Sequence, residues 1–521
     1  MNLATIIDGH PAEQPALYSR GRVTTYGELR GQVARLRGAL TARGVQPGDR
    51  VAVIAGNDWY FVVAYLAVLG VGAIAVPLNP QSPPAEIERE LGLAEVSLAL
   101  VGPAARRTVG DLAPGAVPGF GGGLAISDLL EGDEASPGEG KGEGKAKGKG
   151  KGEGHREGEG MLAEGPGTAP PVVDREPEDV AVLLFTSGTA GAPRPAMLTH
   201  GNLLANLDQV LANPERPRGA DEVALGVLPL FHVFGLNAVL GLALKLGSSV
   251  VLVERFDPHT TLDDVAAYGV TVMSGVPTMW AALAGLKNVD RAKLSTVRLA
   301  ASGAAPLDPE VRRAVRDRLG LDLAEGYGLT EASPVVTTGL GHGAPDGSIG
   351  VPLPGVEVRL IDAEGMDALV GDPGEVWVRG PNVFAGYWND PEATATALTE
   401  DGWLRTGDVA VVDDDGFLSL VDRVKDVIVV SGFNVFPAEV EEVLAAHPGV
   451  VAAAVVGVPN PQSGEAVKAY VVLVPGAHVE PDELIDHVSR YLARYKCPST
   501  VVFVDELPQG LTGKVLRRTL R

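Results

Sequence analysis

The chain has 521 residues, 45% of them hydrophobic, with a formal net charge of −23. Its length and composition predict a globular protein with several core-forming units. The acidic excess argues against nucleic acid or an anionic membrane as the main partner, because both repel a negative surface. The single cysteine, Cys497, excludes an intrachain disulfide and a cysteine metal cluster, and it favours a cytoplasmic location.

The first part of the chain predicts an alternation of helices and strands. A helix start is predicted at 24–29, where a threonine hydroxyl can cap the first N–H groups and Glu28 lies in the first turn. The helix continues towards Leu40, and a strand follows at 50–54. Such an alternation favours a parallel sheet layered with helices, which is an α/β fold.

The apolar stretch at 61–78 is 18 residues long and therefore reaches the length of a membrane span. Gly70, Gly72 and Pro77 interrupt it. We therefore expect a buried helix at about 59–69 and a short strand at 73–76, and no integral membrane span.

The composition changes abruptly at 131–160, where glycine alternates with lysine and glutamate. This tract has too little apolar surface to offset its ordering entropy, so we expect a disordered insertion on the surface. Because the charges alternate in sign, the tract is not typical of a docking tail. It interrupts the large domain and does not separate two domains.

A short apolar run at 180–185 predicts a buried strand. It breaks into a loop of hydroxyl-bearing and small residues at 186–191, where glycines allow close approach and backbone N–H groups can cradle a phosphate. Arg194 adds a positive charge just beyond this loop. It is not the Walker pattern, since no Gly-Lys-Ser/Thr closes it. Taken alone, the segment equally predicts a polar turn between a strand and a helix.

Three further predicted strands end in segments of unusual composition. The strand at 223–228 leads to 231–235, where two phenylalanines flank His232. The strand at 270–274 leads to an apolar stretch at 276–280. By residue type alone, both segments are typical of a core. The strand at 297–301 ends in small residues at 302–306, which would let a flat ring lie against the backbone.

An aromatic residue, a glycine, a hydroxyl and a carboxylate follow one another at 327–331. Tyr327 could stack on a base, and Thr330 could bond a phosphate oxygen. Glu331 could hold a hard cation such as Mg²⁺ through its oxygens. Each residue alone is typical of a protein surface, whereas the ordered set is more informative.

The last part of the chain combines charged turns with a compact α/β unit. Asp408 closes a predicted turn, and the charged segment at 422–426 precedes a strand. Two helices and two strands are predicted at 437–492. Lys514 follows a glycine-containing loop near the C-terminus, where flexibility would let a long cation reach across a cleft.

These segments, in this order, resemble the motifs of the adenylate-forming superfamily, which includes acyl-CoA synthetases, coumarate ligases, luciferases and peptide-synthetase adenylation domains. The resemblance covers roughly residues 24–521, apart from the insertion. It implies a large N-terminal domain of layered α/β sheets with a β-rich subdomain at 1–424. It also implies a small, mobile C-terminal α+β domain at 425–521.

The resemblance implies that a carboxylate attacks the α-phosphate of ATP, giving an acyl-adenylate and pyrophosphate, and that the thiol of coenzyme A then takes the acyl group. Catalytic roles are implied for Lys514, Thr330, Glu331 and His232, with Mg²⁺ held at Glu331. Binding of ATP and coenzyme A is implied for Thr186, Ser187, Gly188, Thr189, Gly191, Arg194, Gly303, Ala304, Ala305, Tyr327, Gly328, Asp408, Arg423, Lys425 and Gly432. The acyl pocket is implied for Phe231, Phe234, Gly235, Val276, Met279 and Ser302, with Trp280 beside them.

Three residues depart from the family's usual phosphate loop. Ala190 stands where threonine is usual, Arg194 where lysine is usual, and Pro195 where glycine is usual. Arginine keeps the positive charge but presents a planar fork in place of a point donor. We expect phosphate binding to survive these changes.

The segment around His232 is most similar to bacterial fatty acyl-CoA synthetases, which predicts a fatty acid as the substrate. Phe231 stands where amino-acid-activating domains carry an aspartate. Three alternatives remain: an acyl-AMP ligase that loads a carrier protein, a luciferase-like oxygenase, and a non-catalytic acyl or nucleotide sensor on the same fold. A homodimer is compatible with the sequence.

Overall fold

The computed structural model describes residues 1–110, 122–130, 169–186, 193–216, 219, 221–423, 426–430, 433–460, 464–492, 494–509 and 515–520. The predicted insertion at 131–160 lies outside these ranges. The strands of the described residues are β1 (Pro15–Ser19), β2 (Arg22–Thr25), β3 (Arg50–Ile54), β4 (Ile74–Leu78), β5 (Leu98–Val101), β6 (Gly123–Ala125), β7 (Val180–Thr186), β8 (Arg194–Thr199), β9 (Val223–Gly226), β10 (Ser249–Leu252), β11 (Val272–Gly275), β12 (Leu299–Ser302), β13 (Leu323–Gly328), β14 (Val335–Thr338), β15 (Val351–Pro352), β16 (Glu357–Ile361), β17 (Gly374–Arg379), β18 (Leu404–Val412), β19 (Leu418–Arg423), β20 (Ile428–Val430), β21 (Phe433–Val435), β22 (Val450–Asn460), β23 (Gly464–Leu473) and β24 (Thr500–Phe503).

Helices connect most of these strands. The α-helices of the described residues are α1 (Tyr26–Ala42), α2 (Trp59–Gly70), α3 (Pro84–Leu93), α4 (Arg106–Gly110), α5 (Ile126–Leu130), α6 (His200–Ala212), α7 (Leu242–Leu246), α8 (Pro258–Tyr268), α9 (Pro277–Gly285), α10 (Pro309–Ala314), α11 (Pro391–Ala397), α12 (Pro437–Ala445) and α13 (Pro481–Ser489). Shorter 3₁₀ turns occur at Leu3–Ile7 and Thr330–Ala332, and π-helical segments at Phe234–Gly241 and Val315–Leu319.

The first predicted helix begins where its capping signal lies. The Thr25 hydroxyl accepts a hydrogen bond from the Glu28 N–H, and the Glu28 carboxylate accepts one from the Thr25 N–H at 2.9 Å. This reciprocal pair satisfies two backbone donors at the N-terminus of α1, and a cap of this kind is worth about 1 kcal/mol. The prediction of this helix is confirmed.

The long apolar stretch divides into two elements, as predicted. It forms α2, whose residues from Tyr60 to Gly70 are all buried, and the fully buried strand β4. The Asp58 side chain caps α2 by accepting a hydrogen bond from the Phe61 N–H at 3.2 Å. In the described part of the chain, no helix is both long enough and apolar enough to cross a bilayer.

Two sheets with parallel cores form most of the N-terminal part. One has six strands in the order β6-β5-β3-β4-β7-β8, and the other has nine in the order β15-β14-β13-β12-β11-β9-β10-β1-β2, counted over the described residues. The central pairs of both sheets are parallel. This arrangement confirms the predicted α/β class and places the carboxyl ends of neighbouring strands at a common edge.

Two smaller sheets follow along the chain. Strands β16 to β19 form an antiparallel sheet, which corresponds to the predicted β-rich subdomain. The last sheet, β21-β20-β23-β22 with β24, packs against α12 and α13. Apolar side chains of the sheet, such as Ile428 and Val501, and of the two helices, such as Val440 and Leu484, form a core of their own.

Two local predictions were wrong. The loop after β7 does not lead directly into a helix, because β7 first pairs with β8 in an antiparallel hairpin that brings Thr186 opposite Arg194. Asp408 does not close a turn, because it lies within β18 and pairs with Arg423 of β19. In both cases, pairing with a neighbouring strand makes a strand of residues that the local sequence assigns to a loop or turn.

Candidate active site

The carboxyl ends of β9, β11, β12 and β13 lie side by side at one edge of the nine-stranded sheet. In the parallel register, Gly275 is opposite Ser302, and Ser302 is opposite Glu325. The segments that follow these strands are therefore neighbours in space. They contain most of the sequence-predicted residues of the acyl pocket and the adenine site, and ligands of α/β sheets bind at such an edge.

The loop that carries Phe231 and His232 is anchored by a side chain from another part of the fold. The buried Asn57 donates hydrogen bonds to the carbonyls of Gly226 and Leu228, at 3.1 and 2.8 Å, and accepts one from the Leu230 N–H at 3.0 Å. These three bonds fix the backbone immediately before residues 231–235, which resemble the family's substrate-gate motif and are called the gate below. Sequence reasoning missed Asn57.

Close packing continues through Gly235. An added Cβ there would lie 2.6 Å from the Leu228 carbonyl oxygen and would also collide with the carbonyl of Pro229. The glycine predicted beside His232 is therefore required by a close backbone approach. The His232 N–H donates to the same Pro229 carbonyl at 3.1 Å, which tightens the turn.

The structure brings two of the predicted segments into contact. An ideal Cβ on Gly303 would lie 3.2 Å from the ring of Phe234, so the ring lies directly over this glycine. The Gly303 N–H donates to the Gly275 carbonyl at 3.2 Å, and Gly275 immediately precedes the apolar stretch at 276–280. Val276, Met279 and Phe234 are all partly buried against the same core.

Trp280 is not at the surface of this pocket. It is 1% exposed, and its indole N–H donates to the Ala301 carbonyl at 3.1 Å within a second apolar core. Trp280 lies in α9, and its neighbour Met279 packs partly against the same core. The prediction that Trp280 belongs to the pocket is therefore wrong.

The small residues after β12 show two features of a binding edge. Ala304 has a φ of 71°, a left-handed conformation that is unfavourable for a residue with a Cβ and is often found at functional sites. The Ser302 hydroxyl is buried, and it has no hydrogen-bond partner among the described residues. Ala305 is half-buried beside them.

Tyr327 and Asp408 meet although they belong to different sheets. The Tyr327 hydroxyl donates to Asp408 Oδ2 at 2.7 Å, and both side chains are buried. The Thr406 hydroxyl accepts from the Asp408 N–H at 3.1 Å and holds that part of the strand. Arg423, of which the backbone is described, pairs with Asp408. The Tyr327–Asp408 hydrogen bond was not predicted from the sequence.

Glu331 lies in the 3₁₀ turn at Thr330–Ala332. Gly328, just before this turn, lies close to the carbonyl of Pro334, just after it. The Tyr387 hydroxyl donates to Glu331 Oε1 at 2.8 Å. Burial, together with the negative charge of Glu331, raises the pKa of the Tyr387 hydroxyl, so it remains a donor at neutral pH.

Arg194 lies on the other side of Tyr387. Its Nε donates to Asp390 Oδ2 at 3.0 Å, and its guanidinium carbon lies 5.8 Å from the centre of the Tyr387 ring. The predicted phosphate-binding cation and the predicted metal-binding carboxylate are thus connected through one tyrosine. Sequence reasoning gave no role to Tyr387 or Asp390. The Asp390-Pro391 pair signals a helix start, but nothing local links it to a residue 196 positions earlier.

The donor set fits a magnesium ion that is shared with a ligand. Within the described ranges, no three His, Cys, Asp or Glu side chains are grouped in a way that could hold a metal by themselves. Mg²⁺ is usually held by one or two carboxylates together with waters and substrate phosphates. A single oriented carboxylate such as Glu331 satisfies that requirement.

Several predicted residues cannot be located. Ser187, Gly188, Thr189, Gly191, Lys425, Gly432 and Lys514 lie outside the described residues. The described part of the phosphate loop is its two ends, Thr186 and Arg194. The Thr186 hydroxyl is buried and has no hydrogen-bond partner within the described part of the chain.

Comparison with known families settles what kind of chain this is. The sequence profile of the AMP-binding enzyme family matches residues 3–388, and that of the AMP-binding enzyme C-terminal domain matches residues 439–514. The chain belongs to the AMP-binding enzyme family. The resemblance inferred from the motifs is thereby confirmed.

This AMP-binding enzyme has relatives along its whole length. A long-chain-fatty-acid–CoA ligase from Yersinia pestis is 39% identical over 98% of the chain and 92% of the relative. A feruloyl-CoA synthase from an Amycolatopsis species is also 39% identical, over 96% and 94%. The crystal structure of ATP-bound MatB from Rhodopseudomonas palustris superimposes with a TM-score of 0.86 at 31% identity and covers 100% of this chain and 98% of that one.

Proposed function

We propose that this AMP-binding enzyme activates a fatty acid with ATP to an acyl-adenylate and then transfers the acyl group to coenzyme A, releasing AMP and pyrophosphate. The observation that carries the proposal is that the predicted acyl-side and adenine-side segments meet at one sheet edge of a family member, where Tyr327 also bonds the predicted ribose ligand Asp408. Full-length relatives named long-chain-fatty-acid–CoA ligase support the acid and the acceptor.

The nucleoside of ATP would bind between Gly303–Ala305 and Tyr327. The small side chains at 303–305 leave the backbone accessible to a flat ring, and Ala304 is held in a strained conformation there. Asp408 would accept hydrogen bonds from the ribose hydroxyls, since a carboxylate can accept several at once. Its contact with Tyr327 holds it at the edge where the base would lie.

The phosphates would bind to the loop at 186–191 together with Arg194. Glu331 is linked to Arg194 through Tyr387, and it would hold the Mg²⁺ that accompanies ATP, while Thr330 beside it would bond a phosphate oxygen. The bound ion would neutralise phosphate charge. Transfer to an α-phosphate depends more on positioning and charge stabilisation than on covalent participation by the protein.

The acyl chain would lie along Phe231, Phe234, Val276 and Met279. These side chains are apolar and partly buried, as in sites that bury most of an apolar ligand. His232 and Gly235 would shape the entrance to this acyl site, and Ser302 lies at the carboxyl end of β12. A second candidate is an aromatic acid, because the feruloyl-CoA synthase relative is as similar to this chain as the fatty-acid ligase.

The C-terminal part would act as a mobile domain. We place the domain boundary between residues 424 and 425, with Lys425 as the hinge and Arg423 at the ribose. Lys514 would approach the phosphates during adenylation, and Gly432 would line the path of coenzyme A in the second half-reaction. Closure of such a domain also protects a hydrolysable intermediate from water. We further propose a cytoplasmic location; a homodimer can be tested by sedimentation.

The decisive experiment measures AMP and pyrophosphate release across a panel of saturated fatty acids and hydroxycinnamic acids, with and without coenzyme A. Turnover of fatty acids that requires coenzyme A supports the proposal. If the enzyme prefers ferulate, the proposed substrate changes from a fatty acid to an aromatic acid. If the acyl-adenylate accumulates until a carrier protein is added, the proposed acyl acceptor changes from coenzyme A to that protein. Tight nucleotide binding without products would contradict an enzymatic role.

A further inference from the structure

We propose that Tyr387 and Asp390 are positioning residues for the phosphate side of the active site. Tyr387 orients the carboxylate of Glu331, and Asp390 holds the guanidinium of Arg194 against Tyr387. We call these four residues the Tyr387 network. The inference rests on the proposed function, because it assigns Glu331 and Arg194 to the bound nucleotide.

The first contact fixes the rotation of a carboxylate. Glu331 Oε1 accepts the Tyr387 hydroxyl at 2.8 Å, while the Glu331 carbonyl accepts the Phe384 N–H at 2.9 Å. The rings of Phe384 and Tyr387 meet edge to face with their centres 4.9 Å apart. Glu331 is therefore held through both its side chain and its backbone by one short segment. A ligand held in this way binds a cation with less loss of rotational freedom.

The second contact uses both oxygens of Asp390 for different purposes. Oδ1 accepts the Ala393 N–H at 2.9 Å and caps α11, whereas Oδ2 accepts Arg194 Nε–H at 3.0 Å. The Arg194 and Asp390 side chains are 26% and 35% exposed, so their ion pair contributes little to stability. The ion pair instead sets the direction in which the Arg194 guanidinium points. A guanidinium has four further N–H donors, which can point to an anion while Nε–H is held.

The backbone joins the two contacts into one unit. Residues 385–388 run along the outer edge of β8: the Trp388 N–H donates to the Pro195 carbonyl at 2.8 Å, and the Met197 N–H donates to the Gly386 carbonyl at 2.9 Å. Pro195 has no N–H to offer on this edge, but its carbonyl serves as the acceptor. Arg194 and Glu331 are therefore held at a set separation, with Tyr387 between them.

This geometry gives a reason for the arginine at 194. A lysine at this position would offer one ammonium whose three donors rotate freely, so a bond to Asp390 would not fix the direction of the others. An arginine satisfies Asp390 with Nε–H and keeps its terminal N–H groups for the ligand. The unusual residue in the phosphate loop and the aspartate before α11 therefore form a matched pair.

The test uses two variants that remove one function each and keep the fold. Tyr387→Phe keeps the ring and removes the hydroxyl, while Asp390→Asn keeps a cap for α11 and places an amide against Arg194. Matched controls are Tyr26→Phe, which removes a hydroxyl that donates to the Ser248 carbonyl at 2.7 Å, and Asp257→Asn at the N-cap of α8. Circular dichroism and thermal midpoints compare each variant with its control.

Two readouts separate positioning from general damage. The first is Mn²⁺ affinity in the presence of α,β-methylene-ATP, followed by the electron paramagnetic resonance signal of free Mn²⁺. Tyr387→Phe is expected to weaken this affinity about tenfold, as loss of a partner behind a metal ligand does, while Tyr26→Phe leaves it unchanged. The second is steady-state turnover, in which kcat falls with Tyr387→Phe and the KM of the acid does not change.

Asp390→Asn is expected to raise the Kd of α,β-methylene-ATP severalfold in the wild-type background and to have no effect when Arg194 is already methionine. Unchanged Mn²⁺ affinity in Tyr387→Phe, or an equal effect of Asp390→Asn in both backgrounds, would overturn the inference. Failure of the wild type to release AMP and pyrophosphate from any acid would instead contradict the proposed function. Each binding measurement can be made without turnover, so the two failures are distinguishable.

Discussion

Replacing Asn57 with alanine is expected to lower the stability of the fold and to weaken binding of the acid. The side chain is 6% exposed and makes three hydrogen bonds to the backbone between Gly226 and Leu230. The Gly226 carbonyl also accepts from the Val253 N–H, so it keeps one partner. The Leu228 carbonyl and the Leu230 N–H both lose the partner that Asn57 supplies.

The expected cost follows from these two groups. A buried backbone group deprived of its hydrogen bond costs about 1–3 kcal/mol, so Asn57→Ala is expected to lower the free energy of unfolding by about 3 kcal/mol. The loop that carries Phe231 and His232 begins where these bonds are lost. We therefore expect the KM of the acid to rise about tenfold, which corresponds to about 1.4 kcal/mol, while the KM of ATP changes little.

Asn2 offers a matched control. It is also buried, donates to the carbonyls of Leu69 and Val173 at 2.7 and 2.9 Å, and accepts from the Ala4 N–H at 2.9 Å. Asn2→Ala therefore removes the same three kinds of bond at a site far from the gate. Urea denaturation followed by tryptophan fluorescence measures stability, and acid and ATP titrations measure KM. The reasoning is refuted if Asn57→Ala unfolds at the wild-type urea concentration, or if Asn2→Ala raises the KM of the acid equally.

Three other outcomes are expected. Burial lowers the pKa of His200 from 6.5 to about 4, so this side chain stays neutral in the folded protein. The stability that depends on the neutral form is complete above pH 6.5 and falls by about 3 kcal/mol as the pH drops towards 4. Urea midpoints measured over this pH range should therefore fall less in His200→Asn than in the wild type. Gly235→Ala should raise the KM of the acid severalfold in initial-rate assays, because the new Cβ meets the Leu228 carbonyl; an unchanged KM would disprove the close approach. Lys514→Ala should abolish pyrophosphate release with AMP binding retained in calorimetry; normal release would contradict its role.

Much of the fold could be predicted because its signals are local. The capping pair Thr25 and Glu28 lies within one helical turn, and α1 begins there. The interruption of the apolar stretch at Gly70 and Gly72 lies within the stretch itself. Strand β3 was predicted with its observed bounds, whereas β11 and β12 begin two residues later than predicted, because hydrogen bonding to neighbours sets strand ends.

The candidate site was predicted less completely than the fold. The motifs named Glu331, Asp408 and Arg194 but not the hydrogen bonds that hold their side chains. Their hydrogen-bond partners are 56, 81 and 196 positions away along the chain. No periodicity or short motif connects residues at such separations, since the contact depends on how two sheets pack.

The order of the motifs along the chain was sufficient to identify an adenylate-forming enzyme, because each motif is a short set of residue types whose chemistry is local. Tertiary structure alone decided that Tyr387 lies between Arg194 and Glu331, that Asn57 bonds the backbone before Phe231, and that Trp280 is buried in a core. The physical reason is that a residue's chemical type is written in the sequence, whereas its direction and its partners arise only when distant strands are packed together.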